Sequence, residues 1–564
     1  MESASKLSES LRLGHVSQGE LELVAECVSD EGGLRAIRQD WDRLWRLQSR
    51  REIFTTYGWC WSAWASHEPR RMLNIVVVRR ATTVVGLLPL VRTSSGLAFM
   101  GSPWSDYNDM LVADSEPCTI VKLALVHAFN GTPGQVGDLA EIPEWSNLSE
   151  CLPTLPEDLR ARICIEQGAD CPALRLSLDR DVLLREAIGK KSLKRHEKKL
   201  ERIGTVTLRH IDSRESAHQT LPDFFEQHIA RRAVAGGRSL FLDATARRFY
   251  GTLIDNFDPT VELRFSVLEA SGRAVAYHFG FEVDGRFTWY KPSFDVDLAQ
   301  VGVGEVLIKR LLEYIRPRTV HEFDFTRGSE SFKDRFANHR GRNTHWRVHR
   351  SVLSASVART RLRLLESAKG SPWIRSLRDR WKSHTSSERL PSHREFVPSD
   401  VLAIQIPARD ACCGERYAAS VLGVRDLALE YARSSGQESE WFKAAMNAAL
   451  GGATCLLVTA SGERRSMLLC SPFSTGDVNA STADGLSSVP VFTNLKDARW
   501  VCLFLGYPGL RADADDLRFA WIAAERHLPT ITRGGLTLAI NRTEASATAV
   551  AIEAGFVQSG EHQP

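Results

Sequence analysis

Between Val261 and Phe325 the spacing of apolar residues changes period, and that change organises the chain. Leu263–Leu268 alternates as a strand, Ser271-Gly272 supplies a hairpin turn, and Ala274–Glu282 alternates again. Asp284-Gly285 is a second two-residue turn, leading into a third strand at Arg286–Tyr290. After a loop holding Gly302 and Gly304 the spacing becomes helical. Within Glu305–Ile315, Val306, Leu307, Leu311, Leu312 and Ile315 leave only Lys309, Arg310 and Glu313 for water. His321–Phe325 is a short returning strand. The order is a meander, a crossover helix and a strand beside the third one, and such crossovers are right-handed almost without exception. The helix therefore covers one face of the sheet.

The same order recurs more faintly upstream. Asn74–Arg79, Thr83–Val91, Gly96–Met100 and Asp109–Val112 read as strands, Thr119–Phe129 as a helix and Gly137–Ile142 as the returning strand. Two tandem copies of one unit, alike in pattern rather than in residues, account for this. A third stretch runs from strand Trp500–Leu505 through helix Leu517–His527 to strand Leu536–Ile540, with a last helix before Gly555-Phe556. Between the second and third stretches, Ala358 to Asp400 is rich first in Arg and Lys, then in Ser383, Ser386, Pro391, Ser392 and His393, which predicts a basic helix and an exposed linker. The expected divisions are an N-terminal extension (1–33), a first unit without a donor site (34–170), a second unit with one (171–357), the helix and linker (358–400), and a C-terminal unit (401–564).

Composition changes this picture little. The 564 residues leave room for about three to four domains, and 43% hydrophobic with 25% charged residues describes a globular chain. A net charge of +3 is too small for the whole chain to be a nucleic-acid binder. No apolar run approaches about 18 residues, so no membrane span is expected, and the polar start (Glu2, Ser5, Glu9, Glu20, Glu22) is unlike a signal peptide. The eleven cysteines lack metal-type spacing, and Cys412 and Cys413 are adjacent. Reduced thiols, a cytoplasmic location and no metal are the expectation.

Several short motifs stand in a recognisable order. Trp41 with Leu44, the run Trp59-Trp61-Trp64, the strand Val85-Gly86-Leu87-Leu88-Pro89-Leu90 and the segment Asp106-Tyr107-Asn108-Asp109 resemble the front half of CelD-type acetyltransferases. Ala276-Tyr277-His278-Phe279-Gly280, the stretch from Tyr290 to Asp295, Gly302 and Gly304 resemble that family's donor region. Phe323-Asp324-Phe325, Arg327-Gly328, Glu330 and the pair Phe332-Lys333 are also similar to the FemAB peptidyltransferases. The resemblance spans Leu34 to about Arg350. It implies an α/β (α+β) fold of tandem GNAT-like units, each a mainly antiparallel mixed sheet with flanking helices. It further implies acyl transfer from a thioester or an aminoacyl-tRNA to an amine or hydroxyl, and CelD-type members are associated with exopolysaccharide synthesis. Asn541 and Gly555-Phe556 give the C-terminal unit a weaker GNAT likeness.

Physical chemistry selects residues within these motifs. Val301-Gly302-Val303-Gly304 before the Glu305 helix presents glycines and free N–H groups, which suits the pyrophosphate of CoA. A flexible strand-to-helix turn is the plain alternative, and Glu305 in the first turn opposes phosphate. The first unit's helix opens with Asp114, Ser115, Glu116 and Pro117, and the third stretch places Asp513, Asp515 and Asp516 at the equivalent point; both are hostile to phosphate. His278 is a base candidate, or a structural strand histidine. Asp324 is a second candidate, or a cap for the Arg327-Gly328 turn. Lys333 could steady an oxyanion or phosphate, or lie on the surface. Tyr290 could protonate a leaving thiolate, or pack at an edge. Lys191, Lys194, Arg195 and Lys198, with Lys190, Lys199 and Arg202, form one basic helical face for a polyanion such as tRNA, a lipid phosphate or an anionic saccharide precursor, or simply a solvated surface.

The leading expectation is an acyl-CoA-dependent transferase acting on a saccharide-linked or other small acceptor. The alternatives are an aminoacyl-tRNA-dependent transferase and a non-catalytic scaffold for a polysaccharide synthase.

Overall fold

The computed structural model describes residues 22–370 except 131–134, 177–178 and 258–260. Beyond residue 400 it describes 401–405, 417–450, 454–460, 463–472, 488–492, 500–506, 537–541 and 557–558. The chain divides into two compact units. The first holds Met1–Phe225, Asp243–Phe294 and Val301–Ser371; the second holds Glu226–Leu242, Asp295–Gln300 and Pro372–Pro564. The first predicted copy lies wholly in the first unit, and the second does so apart from Glu226–Leu242 and Asp295–Gln300.

Its front half runs β1 (Leu23–Val28), α1 (Glu31–Ala36), α2 (Arg38–Arg46), α3 (Tyr57–Ala65), β2 (Met72–Leu73), β3 (Ile75–Arg80), β4 (Thr83–Leu88), β5 (Leu90–Thr93), β6 (Gly96–Phe99), β7 (Leu111–Val112), α4 (Pro117–Asn130), β8 (Gly137–Pro143), α5 (Asn147–Cys151), α6 (Glu157–Arg162) and β9 (Ile163–Arg175). The back half runs α7 (Arg180–Ile188), α8 (Lys191–Glu201), β10 (Val206–His210), α9 (Arg214–Val234), α10 (Ala244–Asp255), β11 (Glu262–Ala270), β12 (Arg273–Val283), β13 (Arg286–Phe294), α11 (Val303–Ile315), β14 (Glu322–Asp324), α12 (Ser331–Asp334), β15 (His339–Val348) and α13 (Val352–Gly370).

The predicted meander is present. Ser271-Gly272 and Asp284-Gly285 hold φ of 49°, 77°, 50° and 67°, the doubly positive geometry that matches strand twist in tight hairpins. After α11, β14 returns parallel to β13. In the front half β8 returns parallel to β6. Pro89, which has no N–H to give a ladder, separates β4 from β5. The front strands are accordingly divided between a sheet ordered β1-β3-β4-β7 and one ordered β10-β11-β12-β13-β14-β9-β15-β8-β6-β5-β2.

That 11-stranded sheet joins the halves by exchanging their last strands. β9, from the front half, pairs with β14 of the back half (Arg175 opposite Glu322, Ala173 opposite Asp324). β15, from the back half, pairs with β8 of the front half (Asn343 opposite Pro143, Val348 opposite Gly137). The two exchanged strands pair with each other from His339 opposite Ala173 to Val348 opposite Ile163. Trp346 and Val348 thereby enter the front-half core with Leu97, Phe99, Ile120, Phe129, Leu139 and Ile142. β9 spans the boundary expected at 170/171, and β1, antiparallel to β3, precedes the one expected at residue 34.

Helix α3 is apolar nearly all round because it is wedged between the halves. Trp59 meets Phe249, Phe281 and Tyr290 of the back half edge-on, at 5.0, 5.8 and 5.5 Å between ring centroids. A Cβ on Gly58 would stand 2.0 Å from the Asn256 carbonyl oxygen, so only glycine permits this approach. The expectation of reduced thiols throughout is corrected at one pair: Cys118 in α4 and Cys151 in α5 form a disulfide, their Cα atoms 4.9 Å apart. Among the described residues no helix is long and apolar enough to cross a membrane.

In the second unit β16 (Val401–Gln405), β17 (Tyr417–Leu422), α14 (Val424–Arg433), α15 (Gly436–Leu450), β18 (Thr454–Ala460), β19 (Glu463–Pro472), β20 (Ser488–Phe492), β21 (Trp500–Gly506), β22 (Thr537–Asn541) and β23 (Val557–Gln558) form sheets ordered β17-β18-β19-β21-β20 and β22-β16-β23. A strand, two helices and an antiparallel meander led by that strand's partner recur here as in β10-α9-α10-β11-β12-β13. The expected helix Leu517–His527, the acids Asp513, Asp515 and Asp516, the last helix and the linker 371–400 lie outside the described residues.

Exchange makes each half dependent on the other for a core strand. Fragments 1–176 and 179–371, expressed separately, should each lack a cooperative thermal transition by circular dichroism, and co-expression should restore one. A cooperative transition in either fragment alone would show that the exchanged strand is dispensable.

Candidate active site

The loop between β6 and β7 carries Asp106 and Tyr107 to the junction of the halves, where they meet β13, β14, and the turn into α12. Asp106 is buried, and its carboxylate lies 2.8 Å from Arg327 Nε and 3.9 Å from Lys291 Nζ. Arg327 also pairs with Glu141 of β8. Asn343, on the exchanged strand β15, donates to the Asp106 carbonyl oxygen (2.9 Å) and to Glu141 Oε2 (2.6 Å), and accepts from the Cys171 thiol (3.3 Å) on β9. Lys333 Nζ donates to the Arg327 carbonyl oxygen and lies against Glu330, each at 2.9 Å. Gly328, at φ 135°, leaves the space: a Cβ there would stand 2.2 Å from Glu330 Oε2 and 2.7 Å from Lys333 Nζ.

A second charged group seals the junction behind this one. Tyr107 donates to Asp324 Oδ1 at 2.9 Å, as does the backbone N–H of Thr326 at 2.8 Å. Arg50 bonds Glu52 and Glu322, each at 2.7 Å, and approaches Asp324 to 3.7 Å. Burial pushes the Asp324 carboxyl up to about 6, against the pull of Arg50. Beside it is a cavity of about 70 Å³ lined by Arg50, Glu52, Tyr107, Asp109, Trp145 and Asn147. Asp109 there accepts from the backbone N–H groups of Met110, Asn147 and Leu148, which fixes the start of α5.

Solvent access separates the predicted residues. His278 is fully buried on β12, with Trp289 and Phe287 stacked 4.7 and 5.5 Å from its ring. Burial lowers its pKa to about 3, so it is neutral and enclosed, the setting of a structural histidine. Tyr290 donates to the Trp104 carbonyl oxygen at 2.6 Å, and burial raises its pKa well above the usual tyrosine range. Asp324 is likewise sealed. Lys291, by contrast, keeps 18% of its side-chain surface and Arg327 keeps 33%. Burial lowers the Lys291 pKa to about 8, partly countered by Asp106. Its Nζ lies 3.7 Å from the Tyr290 ring centroid. The sequence reading passed over Lys291, although a lysine next to a conspicuous tyrosine on a strand bordering the cleft was visible.

The predicted donor loop starts a helix as expected. Gly302 is a left-handed N-cap (φ 81°) and Val303 is buried. The glycines face side chains, however. A Cβ on Gly302 would meet the His196 ring at 2.6 Å, and one on Gly304 the Phe294 ring at 3.2 Å. Glu305 is held by Arg335 (2.5 Å) and His196 (3.2 Å), and Arg335 also donates to Ser192 at 2.7 Å. In the front half Asp114 accepts from the Glu116 N–H at 3.0 Å and pairs with Arg80 at 3.1 Å, as a helix cap does. Lys191, Lys194, Arg195 and Lys198 are exposed on α8. Among the described residues no group of His, Cys, Asp and Glu could hold a metal ion.

Residues 189–334 match the family described as an acetyltransferase (GNAT) domain. The matched segment holds Lys291, Asp324, Arg327 and Lys333, while Asp106, Tyr107 and Asn343 come from outside it. No curated protein sequence matches the chain significantly. Among solved structures, a conserved protein of unknown function from Bacteroides thetaiotaomicron is 12% identical, with 55% of this chain and 97% of that one covered at a TM-score of 0.39. FemX is 10% identical, with 55% and 95% covered at 0.38. A tandem GNAT protein from the clavulanic acid biosynthesis pathway is 12% identical, with 58% and 99% covered at 0.33.

Asp324 gives the site a pH signature. A carboxyl raised by folding stabilises the protein fully below its unfolded pKa of 3.8, and that stability is lost as pH rises through about 6. Asp324→Asn keeps the oxygen that accepts from Tyr107 and Thr326 but does not ionise. Relative to this variant, the parent protein should lose about 3 kcal/mol of unfolding free energy between acid and neutral pH. Parallel urea curves across that range would remove Asp324 as the titrating group.

Proposed function

We propose that the chain is an acyltransferase of the FemAB-like, CelD-type branch, moving an acyl group from acyl-CoA to an amine or hydroxyl at the Asp106–Lys291–Arg327–Lys333 cluster. The observation that supports this most is a lysine that reaches solvent beside a fixed carboxylate and guanidinium. Lys291 reaches solvent with a pKa near 8. Lys333 is sealed and held from two sides. Neutral Lys291 takes the proton of the attacking acceptor as its nitrogen or oxygen bonds to the thioester carbon. The Nη2 group of Arg327, whose side chain is 33% exposed and whose backbone carbonyl Lys333 anchors, meets the oxyanion that forms, and the carbon–sulfur bond then breaks to release CoA thiolate. Asp106, fixed by Arg327 and Asn343, keeps Lys291 aimed at the acceptor.

The donor's pyrophosphate sits at the N-terminus of α11. Arg335, paired with Glu305, offsets its charge there and so reduces the repulsion that an acid in the first turn would otherwise exert. A saccharide-linked acceptor belongs to the CelD-type resemblance.

A base that must be neutral predicts activity rising with pH. Acetyl-CoA turnover against a panel of amines and hydroxyl acceptors should give a kcat/KM that climbs through an apparent pKa near 8. Lys291→Met should lower it by about 100-fold or more and abolish the climb. Calorimetric titration with acetyl-CoA should show saturable binding in both proteins, weakened about tenfold by Arg335→Glu. Absence of acetyl-CoA binding would overturn the donor, and an unchanged pH profile in Lys291→Met would overturn the base.

A further inference from the structure

Helix α8 carries charge that its own unit does not use. Between Lys190 and Arg202 stand seven basic residues and two acidic ones, a segment more positive than the +3 of the entire chain. Glu197, one of the acids, turns inward, 2.8 Å from Lys309 and 2.9 Å from Arg310. Leu193 and Leu200 are fully buried and set the rotation of the helix. Lys191, Lys194, Arg195, Lys198, Lys199 and Arg202 consequently all face outward. At 3.6 residues per turn they occupy an arc of about 140°. None makes an ion pair with another described residue. Like charges on successive turns cost helix stability, so a stripe of this kind calls for a partner of opposite sign.

The neighbours of the stripe indicate which partner. No Phe, Tyr, Trp or amide side chain lies on its outward face, so stacking on bases or reading their edges would fall to Arg195 and Arg202 alone. Aliphatic side chains flank it instead. Val182, 45% exposed, lines an open groove with Arg185, Glu186, Gly189, Lys190 and Lys191 at one end, where three cations outnumber the one acid. Ile203, 48% exposed, follows the helix at the other. Cations between protruding aliphatics match the boundary of an anionic bilayer, where phosphate and hydrocarbon lie side by side. We propose that the α7–α8 face docks the protein on an anionic lipid surface, the lysines and arginines at the phosphate layer and Val182 and Ile203 entering beneath it.

The test is co-sedimentation of the full-length protein with phosphatidylcholine vesicles, alone or mixed with phosphatidylglycerol. Pelleting is expected only with the mixed vesicles, and it should fall as salt is raised. Lys194→Gln, Lys198→Gln and Lys199→Gln together should weaken it about tenfold or more without lowering the thermal midpoint, and Ile203→Ser should weaken it independently. No pelleting with the mixed vesicles, or full pelleting of the triple variant, would overturn the proposal. So would mixed-sequence RNA binding through the same lysines while the vesicles stay free, which would assign the face to nucleic acid.

Discussion

The pairing of β9 with β15 determines much of what else the first unit can be. Each strand ends its own half and completes the other's sheet, so the halves are joined by continuous backbone hydrogen bonding rather than by side chains alone. β15 carries Trp346 and Val348 into the front core. It also carries Asn343 to the carbonyl of Asp106, and β9 brings Cys171 to Asn343. Without the exchange, Asp106 would be held against Lys291 and Arg327 by side chains alone, those of α3 and of the charged groups at the junction.

Burying so much charge at a junction is costly unless every group finds a partner. Here the charges form two chains. One, Arg50 with Glu52, Glu322 and Asp324, is closed off and joins the halves. The other, Asp106 with Arg327, Glu141 and Lys291, opens at one edge through Lys291 and Arg327. The difference in access is why one chain reads as structural and the other as chemical, although both contain groups whose pKa burial has moved. His278 and Tyr290 fall on the structural side by the same criterion.

Much of the back half was legible because its signals are local. The two-residue turns require positive φ at both positions, and the helical spacing after Gly304 is unambiguous. The motif segment Asp106 to Asp109 and the string from Phe323 to Lys333 were visible as motifs, and the structure brings them together. The exchanged strands were not visible. β15 alternates buried Gly341, Asn343 and Val348 with exposed arginines, which reads as a polar loop, and its partners are more than a hundred residues away. The surroundings of His278 were hidden for a related reason: a strand histidine looks the same in sequence whether it faces a cleft or Trp289. Lys291 was passed over because its lowered pKa comes from burial, a property of the assembled junction.

The measurement that tests this account most directly is a double-mutant cycle across the junction, with Asp106→Asn in the front half and Arg327→Gln in the back half, read by urea unfolding. The account predicts that the pair couples by about 1–3 kcal/mol, as contacting charges in one buried network do. Strict additivity of the two substitutions would mean that the halves do not meet at these residues, and that the site described here is not assembled.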